Sequence, residues 1–556
     1  MNFNSLFRKK SISDLQDDIS QASSLNKVLT VRDLTFFGIA AIIGAGIFST
    51  IGRASYEGGP AIALLFVLVA ITCIFTALCY AQFASMIPIS GSAYTYAYVS
   101  MGEIFAWIIG WALILEYAVS NMVVAISWSG YFTSMLQGFG IHWPDWLAID
   151  YWNAHRAFSE IQIHPDTTEN NLKLAKIYQS APEFGGMKII FNLPAGLITL
   201  LVTTLAYIGI KESTRVSNAL VGIKLIIIIG IILVGAFYVK PENWFPFLPN
   251  GVEGVMGGVA AVFFAFIGFD SISTTAEEAK NPQRDLPRAM IYCIILCTVL
   301  YVAIALILTG MVNYTELRVD DPLAYVFGKK GMNFVAGIIS ISAVIAMTGA
   351  ILVFQIGQPR IWMTMGRDGL LWKHFGKIHK KYHTPGFATI VAGIFVGVPS
   401  MFLDMQIVVD LTSVGTFFAF ILVCSGVLFL DHKGYSKQAK FKIPYINGQY
   451  LILLLFVVGI TLFLTQTNYK KILEERSLLT IFWMVWLGLS IASLKYKFSL
   501  IPILGILFNL YLMTELGWSN WGMFIIWLFI GLCIYFLYGR KNSKLSRLLQ
   551  TNESLS

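Results

Sequence analysis

Three ionisable side chains, Glu116, Lys224 and Asp270, stand inside long apolar runs of this 556-residue chain. An Asp or Lys at the centre of a membrane helix costs about 2.5–3.5 kcal/mol on insertion scales. Three such residues make a poor scaffold and point to a path for an ion or a substrate. A lysine held away from water can gain and lose a proton near neutral pH. Lys224 follows Asn218, the last polar side chain before its apolar run, and faces inward if that span packs on its neighbours. The alternative is snorkelling to the membrane interface. Asp270 could cap a helix or hold Tyr and Lys partners. Glu116 could meet a cationic substrate side chain or fasten its span to another.

These charges lie near weak points of the backbone. In Ile42-Ile43-Gly44-Ala45-Gly46-Ile47-Phe48 two glycines interrupt the first apolar run. Each costs a helix about 1 kcal/mol against Ala, and lipid offers no water to loosened N–H and C=O groups. Either the chain unwinds here to present its backbone to a small zwitterion, or the glycines let two spans pack closely. A sixth span repeats the oddity: Gly254, Gly257 and Gly258 open it, and Phe263-Phe264-Ala265-Phe266-Ile267-Gly268-Phe269-Asp270 follows. A repeat of five spans, an odd number, must sit upside down relative to the first. Interrupted spans at matching positions of inverted repeats mark a transporter's binding site near the bilayer midplane.

Positioning these residues takes a polytopic helical membrane protein. Apolar residues make up 56 % of the chain and charged ones only 13 %, where soluble domains carry about 25 % charged. The runs are continuous over ~20 residues, which excludes a barrel of short alternating strands. Fourteen candidate spans are predicted, at 33–54, 61–87, 104–136, 188–210, 217–239, 253–275, 289–312, 333–361, 388–404, 407–431, 449–467, 477–494, 498–516 and 521–539. Most of the 39 Lys and Arg fall on one side of this topology, which places both termini in the cytoplasm and explains the net charge of +8 without nucleic acid. The N-terminal tail carries Arg8, Lys9 and Lys10 and no apolar segment typical of a cleaved signal.

The chain divides into a cytoplasmic tail (1–30), a first five-helix repeat (31–240) with an extracellular loop (138–187), and an inverted second repeat (251–431). Four additional transmembrane helices (449–539) and a cytoplasmic tail (540–556) complete it. The loop, with His142, His155 and His164, reads as a surface cap without metal-like spacing. All seven histidines fall outside the spans or at their ends, against a histidine relay. The six cysteines lie in apolar runs and read as small core residues. Glu277-Glu278 and the mixed charges through Arg288 form a solvated turn or an inner gate closed by bases such as Arg360 and Arg367.

Several stretches together resemble the amino acid–polyamine–organocation (APC) superfamily: Gly44-Ala45-Gly46-Ile47-Phe48, Gly91-Ser92-Ala93-Tyr94, Glu116-Tyr117 and Trp128-Ser129-Gly130-Tyr131. Phe264 to Asp270 with Glu277-Glu278 and Asn281-Pro282, then Gly357-Gln358-Pro359-Arg360 and Arg367-Asp368-Gly369-Leu370, are similar to the cationic amino acid transporter family and its bacterial relatives. The resemblance runs from about 31 to 431. It implies a leucine-transporter-like fold of two inverted five-helix repeats, with about 14 transmembrane helices in all. It further implies that N–H groups at Gly44, Ala45 and Gly46 meet the substrate carboxylate, as a half-helix N-terminus attracts anions. Carbonyls of Ile42, Phe264, Ala265 and Ile267 would meet the amino group. Phe264 would be the gate over the ligand, and Lys224 would replace a sodium site, with Thr348 as a hydroxyl neighbour. Ala45 departs from relatives that carry a polar residue there.

The expected function is a proton-coupled secondary transporter of L-amino acids in the plasma (inner) membrane, with the proton gradient in place of a cofactor. The span around Thr348 is uncharged from Phe334 to Pro359, which favours neutral or broad substrates; a carrier or exchanger of Arg and Lys is the alternative. A channel would need rings of like charge or carbonyls. An enzyme would need a buried His or a nucleophile–base pair. A sensor on a transporter scaffold is not separable by sequence, and neither is oligomeric state.

Overall fold

The computed structural model describes residues 7–10, 27–87, 89, 91–163, 169–319, 321–434, 439–465 and 469–547. His164 and, of the two predicted tails, residues 1–6, 11–26 and 548–556 lie outside the described residues.

The chain opens with a capping box. The Thr30 hydroxyl accepts the Asp33 N–H, and the Asp33 carboxylate accepts the Thr30 N–H at 2.9 Å, which starts helix α1 (Val31–Ile42). After the break come a π-helical turn (Gly46–Thr50) and α2 (Ile51–Gly58), then α3 (Ile62–Met86), the short α4 (Ser92–Ser100) and α5 (Glu103–Gly138). The external loop folds as α6 (Tyr151–Ile163), α7 (Glu169–Ser180) and a hairpin of β1 (Glu183–Phe184) and β2 (Met187–Lys188). Arg156 ties it to Asp404 at 2.9 Å. Helices α8 (Leu193–Ile208) and α9 (Ile210–Ala236) follow.

The second interrupted span comprises α10 (Gly251–Gly257), α11 (Val259–Phe264) and α12 (Ser271–Thr274). Next are α13 (Pro282–Met311), α14 (Pro322–Lys329), α15 (Asn333–Arg367), α16 (Gly386–Ser400) and α17 (Met405–His432). The last group is α18 (Leu451–Leu464), α19 (Tyr469–Glu475), α20 (Leu478–Tyr496), α21 (Leu500–Thr514) and α22 (Gly517–Ile534).

Among the described residues, eight helical segments are long and apolar enough to cross a membrane, and four shorter apolar helices accompany them. The segment 31–86 contains both the first break and the second predicted span. The protein is all-α and polytopic; among the described residues each predicted run overlaps helix, and the run 188–210 becomes helical only from Leu193. α5 lies along α15 and α17, and α13 lies along α3. The outer helices α18, α20 and α22 expose Leu454, Leu462, Met484, Ile526 and Phe529, as lipid-facing helices do. Five cysteines are buried as expected, but Cys533 is exposed on α22.

Candidate functional site

The two interrupted spans meet break to break. A Cβ added at Gly46 would lie 2.4 Å from Cα and 2.6 Å from Cβ of Ala265, so only hydrogen fits there. Gly268 adopts φ +112° and leaves room for Ala41, whose Cβ would be 2.7 Å from a side chain at 268. On either side, Gly38 faces Ile272, and the Thr50 hydroxyl lies 3.1 Å from the Ala261 carbonyl. Partner numbers fall as span-one numbers rise, so the two spans run antiparallel through the contact. Unwinding and close packing are thus both present, where the sequence left them as alternatives.

The first break is held from two sides. α1 ends at Ile42, and its last carbonyls lack intrahelical donors. Lys224 of α9, buried at 1 % exposure, supplies them: its ammonium donates to the Ile43 carbonyl at 2.8 Å and the Ala40 carbonyl at 3.3 Å. A helix C-terminus carries about half a negative charge, so the cation sits where the field favours it. Asn218 fixes the register by donating to Asp33 at 2.7 Å. Lys224 therefore faces inward, as the inward-facing alternative requires, and does not snorkel.

The second clasp is Tyr301 of α13. Its hydroxyl lies 2.7 Å from the Ile42 carbonyl and 2.9 Å from the Ala265 carbonyl, one phenolic proton serving both breaks. Sequence reasoning missed this residue; its signal was a tyrosine in the middle of an apolar span. The expected ammonium acceptors accordingly have protein donors: Ile42 also accepts the Gly44 N–H at 3.0 Å, and Phe264 accepts the Ile267 N–H at 3.2 Å. A carbonyl has two lone pairs, so Phe264 and Ala265 retain capacity for a ligand, whereas both lone pairs of Ile42 are engaged and a ligand there displaces Tyr301 or the Gly44 N–H.

Gly44 faces Ala350 of α15 and Val124 of α5, with 3.0 and 3.9 Å from a would-be Cβ. Ala45 is buried, and Phe264 ends α11 directly before the second break, also buried. The first N–H groups of the helix that restarts at Gly46 have no intrahelical acceptor, which makes this the anion-attracting end. Thr348 is turned elsewhere: its hydroxyl donates to Val344 at 2.7 Å and accepts the Trp128 indole at 2.9 Å, while the Lys224 ammonium donates to the backbone carbonyls of Ala40 and Ile43.

Below the breaks, Tyr117 donates to Asp270 Oδ2 at 2.8 Å. Asp270 precedes α12 without a side-chain cap bond, so it holds a tyrosine and does not cap. Glu116 is buried at 1 % exposure, and among the described residues neither carboxyl oxygen has a hydrogen-bond donor; the neighbouring Thr416 hydroxyl donates to the Thr412 carbonyl. Further along, Arg360 grips Glu278 in a fork at 2.7 and 3.1 Å, both buried, and Arg367 reaches Glu277 at 3.4 Å. The acids of the mixed-charge loop thus pair with Arg360 and Arg367, the two bases that the gate reading named.

The sequence matches the profile described as amino acid permease over residues 29–489, and that of the amino acid permease C-terminus over 499–543. The chain belongs to the amino acid permease family. Its relatives lie in the APC superfamily. This permease is 39 % identical to the branched-chain amino acid permease BcaP of Bacillus subtilis, covering 98 % of this chain and 99 % of that one. It is 36 % identical to the methylthioribose transporter of the same organism, over 98 % and 100 %. It is 30 % identical to the vacuolar cationic amino acid transporter 2 of Arabidopsis thaliana, over 98 % and 93 %. These relatives are carriers by name, so this permease is not an enzyme.

Proposed function

We propose that this permease carries L-amino acids with neutral side chains, or a broad range of them, by alternating access, and that Lys224 couples transport to the proton gradient. The observation that carries the reading is the meeting of Gly46 and Ala265 at two antiparallel breaks, with Lys224 and Tyr301 on the freed carbonyls. The carbonyls of Ile42, Phe264, Ala265 and Ile267 receive the ammonium, and N–H groups at Ala45 and Gly46 receive the carboxylate, joined by that of Gly44 when it gives up its bond to the Ile42 carbonyl. Phe264 gates the site. Val124 and Ala350 are small and apolar, which suits an aliphatic side chain, and BcaP is named for branched-chain amino acids. A plasma-membrane location with both termini cytoplasmic belongs to the same reading.

Transport of arginine or lysine is the second reading, favoured by the unpartnered Glu116 carboxyl and by the relatives named as cationic amino acid transporters. Uptake of a radiolabelled panel into proteoliposomes, including leucine, alanine, arginine, lysine and methylthioribose, with and without an inward proton gradient, tests both. Gradient-driven leucine uptake that becomes gradient-independent in Lys224→Ala supports the proposal. Gradient-independent uptake by the parent protein refutes the coupling, and binding without flux refutes the carrier.

A further inference from the structure

The two ends of the described chain meet at one end of the bundle, on carboxylates that the transport site does not use. Asp368, at the end of α15, receives the Lys10 ammonium at 2.6 Å and the Tyr94 hydroxyl at 2.7 Å, and its carbonyl accepts the Lys544 N–H at 2.9 Å. The adjacent Gly369 has φ +78°, and a Cβ there would stand 2.3 Å from the Asn542 carbonyl oxygen. Glu103, fully buried at the start of α5, accepts three hydroxyls: Tyr98 at 2.9 Å, Tyr535 at 2.9 Å and Ser543 at 2.6 Å. Its N–H donates to the Arg8 carbonyl at 2.9 Å. The backbone of Phe7 packs against Gly102, and the Lys9 ammonium donates to the Ser100 carbonyl.

Between these carboxylates and the interrupted span lies α4. Its first residue, Ser92, has its hydroxyl 2.8 Å from that of Ser273 in α12. Two of its tyrosines hold the carboxylates, Tyr94 on Asp368 and Tyr98 on Glu103. A nine-residue helix is about 13 Å of rigid rod, so a displacement of α12 felt at Ser92 reaches both tyrosines. A buried carboxylate that loses its donors is strongly disfavoured, which makes the set of contacts all-or-none.

We propose that residues Arg540–Arg547, together with residues 7–10, form a latch that is docked while this end of the permease is closed and is released when it opens, with α4 relaying the position of the interrupted span. This rests on the alternating-access reading, and the test separates the two. Ser543→Cys and Ser546→Cys, each buried in the closed form, are made singly in a Cys533→Ser background of the full chain in nanodiscs, where both faces meet reagent. Labelling by a membrane-impermeant maleimide is timed with Arg360 intact and in Arg360→Ala, which frees this end without any substrate.

The latch requires slow labelling in the first case and at least ten-fold faster labelling in the second. With Arg360 intact, saturating leucine then accelerates it as well. If Ser543→Cys does not fold, Ser546→Cys gives the same readout. Equal rates with and without Arg360, or labelling as fast as in urea-unfolded protein throughout, overturns the latch. Acceleration by Arg360→Ala with no flux of any substrate leaves the latch standing and removes the carrier.

Discussion

Gly46→Ala is the sharpest perturbation of the site, because the structure sets its scale. The new methyl would stand 2.4 Å from a backbone atom of Ala265, and carbon pairs prefer about 3.5–4.0 Å. The breaks must separate by about 1 Å or more, and backbone cannot rotate aside as a side chain can. Tyr301 spans the pair with bonds of 2.7 and 2.9 Å, so a separation of that size takes at least one of them past hydrogen-bond range. Overpacking costs typically about 1–3 kcal/mol. At tenfold per 1.4 kcal/mol, that corresponds to about a 5- to 150-fold loss of the paired arrangement. The assay is ligand-induced thermal stabilisation together with uptake, on protein shown by surface labelling to be inserted normally. Substrate affinity should fall by that factor. Ala265→Gly should not restore it, since the 2.4 Å contact is to Cα and persists when the Ala265 methyl is gone. An alanine at 46 with parental affinity and stability would refute the contact as the basis of the site.

Tyr301→Phe keeps the ring against Phe66 and Phe266 but leaves two buried carbonyls short of a donor. At about 1–3 kcal/mol for the unmet group, uptake should drop about 5- to 150-fold, and parental uptake would count against the clasp. Lys224→Met leaves the Ala40 and Ile43 carbonyls without their cation; uptake in proteoliposomes should persist weakly and lose its response to the proton gradient. Arg360→Ala strands Glu278 as a buried unpaired charge, which should lower stability by about 3–5 kcal/mol, whereas Arg360→Met with Glu278→Gln should recover most of it in a thermal-unfolding assay. Glu116→Gln should change arginine and lysine uptake more than leucine uptake, and equal effects in a side-by-side panel would remove Glu116 from side-chain recognition.

Much of the site was legible because lipid penalises what it contains. Glycines at 44, 46 and 268 and charges at 116, 224 and 270 are expensive in a membrane span, so their positions alone pointed to the breaks and to what surrounds them. The direction of each side chain was not legible, since it depends on helix rotation. Asn218 sets that rotation for α9 by bonding Asp33, and only then does Lys224 reach α1. Thr348 shares the interior with Lys224, yet its rotation gives it to Trp128. Tyr301 went unread because a tyrosine in an apolar run is usually packing, and its partners lie far away in sequence. The terminal contacts are of the same kind: Lys10 and Asp368 are 358 residues apart, and Glu103 and Ser543 are 440.

The clasps explain why two interrupted helices can be stable without water. Each break frees carbonyls at its N-terminal half and N–H groups at its C-terminal half. Running antiparallel, the two spans bring these ends together, and one phenol and one ammonium serve four of the carbonyls. The same arrangement makes the site responsive. Removing the proton from Lys224 would remove the charge that complements the end of α1 and weaken the clasp on Ile43, while Tyr301 would keep the breaks aligned. A ligand ammonium would offer a charged donor in place of the phenol at Ile42, and in place of or beside it at Ala265, and charge-assisted hydrogen bonds are roughly twice as strong as neutral ones. On the proposed reading, ligand binding and proton release would thus act on adjacent carbonyls of one break, Ile42 for the ligand and Ile43 for Lys224, which is the physical requirement for coupling one to the other. On that reading a decoupled variant would still bind substrate through the Ile42 and Ala265 carbonyls that Tyr301 clasps, with no response to the gradient.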